Sequence, residues 1–114
     1  MSLVLHTNVN MGDRKTEFMK AASRAIAESL SKPESFVAVC VLDNQSLIWG
    51  GEETNCALAN VASLGSINKA NNTALSGALA ALLSDFDVPS DRVYVNFWDI
   101  GARENCGYNG VTFA

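Results

Sequence analysis

The sequence predicts an α+β domain: two pseudo-repeated β-α-β units forming a four-stranded mixed sheet, with two helices on one face. Three observations carry this. Apolar residues recur at steps of three and four over residues 14–31 and 74–86, which is the helical period. Short apolar, β-branched runs stand before and after each of these stretches. The segment Pro33-Glu34-Ser35-Phe36-Val37-Ala38-Val39 is also answered by Pro89-Ser90-Asp91-Arg92-Val93-Tyr94-Val95 at an offset of 56. The second half therefore restates the plan of the first.

The elements follow in order. Residues 3–7 form a short apolar strand, and 8–13 with Gly12 form a turn. Over 14–31, Phe18, Ala22, Ala25, Ile26 and Leu30 share one helix face. Asp13 suits the N-cap, and Lys32-Pro33 stops the helix, because a residue before proline disfavours helical backbone. Residues 36–42 form a strand, continued after Asp43-Asn44 by 46–49 and broken by Gly50-Gly51. Residues 56–64 form the next strand and 65–72 a loop. In the helix of 74–86, Leu75, Ala78, Leu79, Leu82, Leu83 and Phe86 line a broad face. Residues 88–91 end it, 92–98 are a strand, and a Gly-containing tail follows. A crossover helix joins parallel strands with right-handed chirality, so two such units can pair into one sheet.

At 114 residues the chain is one domain, 1–114, large enough to bury roughly two-thirds of its unfolded surface. Hydrophobic residues are 48% and charged residues 18%, which excludes a disordered chain. The net charge is −4 and the eight cations are scattered, so nucleic-acid binding is not expected. No apolar run is long enough to insert in a membrane, and the N-terminus does not read as a secretory signal. Cys40, Cys56 and Cys106 are odd in number and form no CxxC pair, which points to reduced thiols in the cytosol. His6 is the sole histidine, so neither a zinc site nor a histidine-based triad is expected.

With both helices on one face, the other face carries Ala38, Cys40, Tyr94 and Asn96, none of them charged. Such a face needs a cover, and the chain has no further helix to supply one. Self-association in closed cyclic symmetry is the economical solution. The absence of charge from residues 74–84 agrees with crowding.

Leu5-His6-Thr7-Asn8-Val9, Ser31-Lys32-Pro33, Gly50-Gly51, Cys56-Ala57-Leu58, Ser63-Leu64-Gly65, Asp91-Arg92-Val93-Tyr94-Val95-Asn96 and Gly107-Tyr108-Asn109-Gly110-Val111-Thr112-Phe113-Ala114 form an ordered set of segments. Together they resemble the macrophage migration inhibitory factor family of the tautomerase superfamily. The resemblance covers essentially the whole chain. It implies a homotrimeric ring with the sheets facing a central channel and the helices outside. It also implies keto–enol tautomerisation of a small aromatic α-keto acid such as phenylpyruvate, or of dopachrome-type substrates, in a pocket between subunits, without cofactor or metal. Members of the family act as cytokine-like signals at a cell-surface receptor. They are cytoplasmic and are secreted without a signal peptide.

The resemblance assigns residues too. The family's catalytic base is an N-terminal proline, whose secondary amine removes a proton beside the keto group. Apolar burial and a nearby cation lower the pKa of such an amine, and proton abstraction needs a base poised near the working pH. Here Met1 stands at the proline's position. Retention of Met1 leaves a primary amine and a long side chain near the pocket. Removal of Met1 leaves the amine of Ser2 one residue short. A misplacement of about 1 Å can cost ~100-fold in rate, so tautomerase activity is expected to be weak or absent. The alternative is an active enzyme that uses the primary amine as its base. Lys32 matches the lysine that binds the substrate carboxylate. Ser63 and Leu64 match the segment whose backbone amide holds it, with Leu in place of the usual Ile. Tyr94 and Asn96 match residues that reach in from the neighbouring subunit, Trp98 stands near an aromatic wall position, and Cys106 replaces a usual Val at the pocket lip. Some relatives carry CxxC from the equivalent of Cys56. Here Ala59 stands at its second cysteine, so dithiol chemistry is not expected.

Overall fold

Strand pleat divides the residues of β1 (Ser2–Thr7) between two environments. Leu3, Leu5 and Thr7 are fully buried, whereas Ser2, Val4 and His6 face the other way and keep solvent contact. The computed structural model describes residues 1–114, and β1 lies at its centre. To one side β2 (Ala38–Leu42) runs parallel to it, with Val4 opposite Cys40. To the other side β3 (Ala57–Ser63) runs antiparallel, with Val4 opposite Asn60. Parallel to β3 lies β4 (Val93–Asp99), with Asn60 opposite Asn96. The order β2-β1-β3-β4 is the predicted mixed sheet: two parallel pairs joined by an antiparallel seam.

Each parallel pair needs a crossover. α1 (Lys15–Leu30) makes the first and α2 (Lys69–Ser84) the second. Phe18, Ala22, Ile26 and Leu30 of α1 meet Leu75, Leu79 and Leu83 of α2 over Leu3, Leu5, Ala59 and Val61. The repeat offset of 56 carries the one-turn helix Glu34–Phe36 onto Ser90–Arg92. Both turns are entered from a proline, Pro33 and Pro89, whose ring holds φ near −60°.

Several boundaries differ from expectation. Asp13 is not the cap of α1: it lies in a one-turn helix, Gly12–Arg14, and Arg14 is the capping residue, without a side-chain bond. α2 begins at Lys69, five residues early, because the Asn68 side chain accepts a hydrogen bond from the Asn71 amide at 2.9 Å. The expected loop thus shrinks to 65–68. The strands expected at 36 and 92 begin at Ala38 and Val93, since the one-turn helices consume the residues after each proline. Residues 46–49 are not a strand. Gly50 and Gly51, both at positive φ, close a turn in which Trp49 and Glu52 exchange the only ladder bonds. The Asn8 side chain clamps this excursion, donating to the carbonyls of Leu47 and Thr54 and accepting from the Cys56 amide.

No element of the chain covers the second face of the sheet. Its rows run Ala38–Ser2–Ala62–Trp98, Cys40–Val4–Asn60–Asn96 and Leu42–His6–Leu58–Tyr94. None of these twelve residues is an acid, a lysine or an arginine. Tyr94 and Trp98 are 60% and 61% exposed there, which is much aromatic surface for one strand to leave in water. The Trp49 ring stacks on Tyr94 at 4.6 Å, and Asn60 Oδ1 accepts from Trp98 Nε1 at 3.4 Å. No helix is long and apolar enough to cross a membrane.

Candidate functional site

The first residue is held like a strand residue. The amide of Ala38 donates to the Met1 carbonyl at 2.9 Å, and the terminal amine of Met1 donates to the Phe36 carbonyl at 3.1 Å. The one-turn helix after Pro33 presents that carbonyl, so the amine is fixed at the entry to β2. Lys32 arrives from the end of α1. Ser31 turns the chain in the left-handed region at φ 52°, and Lys32 Nζ then reaches the Leu64 carbonyl at 3.0 Å.

Leu64 stands in the turn after β3. Gly65 has φ +77°, a conformation that side chains rarely adopt. Ser63 Oγ donates to the Gly65 carbonyl at 2.7 Å, and the Asp99 carboxylate accepts from the amides of Gly65 and Gly101. These bonds pin the turn.

The tail closes the site. Asn109 and Gly110 both have positive φ, the backbone of a two-residue hairpin turn, and pair β5 (Gly107–Tyr108) with β6 (Val111–Thr112). The Phe113 amide consequently donates to the Cys106 carbonyl at 3.1 Å. Phe36, Tyr108 and Phe113 form an aromatic cluster with centroids 5.3–6.0 Å apart. Arg103, in the one-turn helix Arg103–Asn105, donates from Nε to the Phe113 carbonyl at 2.8 Å.

A cavity of about 270 Å³ results, lined by Met1, Lys32, Pro33, Phe36, Leu64, Arg103, Cys106 and Phe113. Its lining joins apolar walls, two cations, a thiol and the chain terminus, and contains no carboxylate. That composition suits a flat apolar molecule carrying negative charge. A hollow of equal volume between the helices has Arg14 stacked over Phe86 at 4.3 Å, and brings together neither a thiol nor the terminal amine.

Of the site residues expected from sequence, Met1, Lys32, Leu64 and Cys106 meet at this cavity. Ser63 does not line it: its side chain is fully buried and pins the neighbouring turn. Tyr94, Asn96 and Trp98 lie on the uncovered face of β4, and none borders the cavity within one chain. Sequence reasoning missed Pro33, Phe36, Arg103 and Phe113. The signal for the last was the dipeptide Asn109-Gly110, a hairpin mark that folds the tail back. Arg103 gave no such signal.

The macrophage migration inhibitory factor family model matches residues 1–114. The chain is 36% identical to rat macrophage migration inhibitory factor over 112 residues, 97% of this chain and 96% of that protein. It is 34% identical to the Brugia malayi homologue over 110 residues, covering 96% and 95%. The chain belongs to the macrophage migration inhibitory factor family. Solved members share its architecture throughout. The macrophage migration inhibitory factor of Toxoplasma gondii superposes with a TM-score of 0.92 at 27% identity, over 99% of this chain and all of that one. That of Trichinella spiralis superposes with 0.89 at 31% identity, over 99% and 100%. The sheet order and the paired crossovers are thus those of the macrophage migration inhibitory factor fold.

Proposed function

We propose that this chain is a cytokine-like signalling protein that keeps a keto–enol tautomerase-type pocket with a weakened catalytic base. Three copies form a ring, the uncharged faces of their sheets turned inward, and the pocket is completed at the boundary between copies. Tyr94, Asn96 and Trp98 serve the pocket of the neighbouring copy, where they supply polar and aromatic contacts to an aromatic α-keto acid. Lys32 pairs with the substrate carboxylate, and Cys106 shapes the lip.

One observation carries the chemical part of this reading: the amine of Met1 and the ammonium of Lys32 border the same cavity. Tautomerisation moves one proton from the carbon beside the keto group to a base, and delivers one to the carbonyl oxygen. An amine held beside a carboxylate-binding cation stands where such a base is needed. In this chain that amine is primary, has one N–H committed to Phe36, and belongs to a residue whose flexible side chain is part of the cavity wall. Removal of Met1 would move the terminus one residue along β1, about 3.3 Å, and away from the Phe36 carbonyl.

The same observation favours a second reading, an active tautomerase with the primary amine as base. Phenylpyruvate tautomerisation by purified protein, with intact mass on the same sample, separates the two. The partner variant is Met1→Pro, made from a gene that begins Met-Pro-Ser. Under the first reading the parent is slow or inactive and Met1→Pro is active, with Lys32→Ala abolishing the gain. Comparable rates for the parent and Met1→Pro would overturn the weakened-base reading. The mass would then tell whether Met1 or Ser2 supplies the amine.

A further inference from the structure

The cavity holds one more cation than a single carboxylate needs. Lys32 Nζ spends one N–H on the Leu64 carbonyl and keeps two. Arg103 enters from the opposite half of the repeat, and its Nε is tied to the Phe113 carbonyl. The Phe113 amide is tied in turn to Cys106, so the guanidinium is anchored to the hairpin rather than free in solvent. Its two terminal nitrogens make no hydrogen bond. The ion pairs of the structure are Lys15 with Asp43 and Arg92 with Asp91, so no acid neutralises Arg103. An oriented guanidinium with an open edge matches a carboxylate through two parallel bonds.

We propose that Arg103 is a specificity-determining residue that binds a second carboxylate, so that the preferred ligands are 2-oxo acids bearing a carboxylate at the far end of the molecule. This rests on the reading of the cavity as an α-keto acid pocket. Lys32 takes the carboxylate beside the keto group, and Arg103 takes the other. The aromatic walls of Phe36 and Phe113 flank the span between them.

The test is a calorimetric titration at low salt with two matched pairs: phenylpyruvate against 4-carboxyphenylpyruvate, and 2-oxopentanoate against 2-oxoglutarate. Two pairs of different length are used so that at least one dianion spans the two cations. That dianion is expected to bind about tenfold tighter than its monoanion, with the preference shrinking as salt is raised. Arg103→Gln should abolish the preference by weakening the dianion more than its monoanion, while Arg103→Lys, which keeps the charge, should retain part of it. Circular dichroism and phenylpyruvate affinity report whether either variant has disturbed the hairpin. If Lys32→Ala weakens every ligand but Arg103→Gln weakens monoanion and dianion alike, or neither, the cavity reading stands and the role of Arg103 falls. If Lys32→Ala changes nothing, the cavity reading falls and takes the role of Arg103 with it.

Discussion

Asp43 shows how one side chain can tie the start of a helix to the end of a strand. Its carboxylate accepts from Lys15 Nζ at 2.8 Å and from the Met11 amide at 3.1 Å. The Lys15 bond first, and the Met11 amide second, hold the carboxyl below its ordinary value of 3.8. A carboxyl with a depressed folded pKa adds stability above the unfolded value and loses it as pH falls through the folded one. Asp43→Asn should therefore lower the thermal midpoint at pH 7, and the gap to the parent should close below about pH 3.8. Midpoints that differ equally at pH 7 and pH 2.5 would contradict this. Cys56 is the opposite case. Burial pushes its thiol up, against a smaller opposing effect of Arg92. Since the thiolate is the nucleophile, Cys56 should alkylate far more slowly than Cys106 at pH 8 and catch up only in denaturant. Mass-resolved labelling reads both rates.

At the scale of elements, α2 is the more exposed to single substitutions. Its N-cap rests on one side-chain bond from Asn68, and Asn68→Ala should cost about 1 kcal/mol. Its core face rests on Leu75, Leu79 and Leu83, all fully buried. Leu79→Ala, which empties the space between the helices and β3, should cost about 2–5 kcal/mol. Urea unfolding checks both, and a smaller loss for Leu79→Ala than for Asn68→Ala would mean that the helix layer collapses around the void. The start of α2 escaped the apolar pattern because its first turn, Lys69-Ala70-Asn71-Asn72, has almost no apolar side chain to show a period. The cap, not the pattern, decides that boundary. The one-turn helices after Pro33 and Pro89 are likewise decided by local backbone, and they delay the start of both expected strands by the same logic in each half.

At the scale of the molecule, the uncovered face is the surface on which the proposed ring would assemble. Asn60 sits in its middle row, with Val4 and Asn96 as neighbours. Asn60→Lys puts a charge where three copies would meet, and desolvating an unpaired ammonium there is costly. The variant should sediment as a folded monomer, with circular dichroism unchanged, while the parent sediments as a trimer. A parent that sediments as a monomer at micromolar concentration would refute the ring. Cys40, exposed on the same face, adds a second readout: it should react faster with thiol reagents in Asn60→Lys than in the parent.

Periodicity, proline placement and the offset of 56 were enough to place both helices, four strands and the two-layer plan, because each is written locally in side-chain order. Met1, Lys32, Leu64 and Cys106 could be named from resemblance to a family, residue by residue. Their meeting in one cavity could not be read from the chain. It depends on the parallel register that docks Met1 beside Phe36, on the Gly65 turn that presents Leu64, and on the hairpin that returns Phe113 to Cys106. Arg103 counted in the sequence only as one scattered cation among eight. Its place in the same cavity as Lys32 comes from the folded-back tail and from the packing of the two halves of the chain, and no local pattern encodes that meeting.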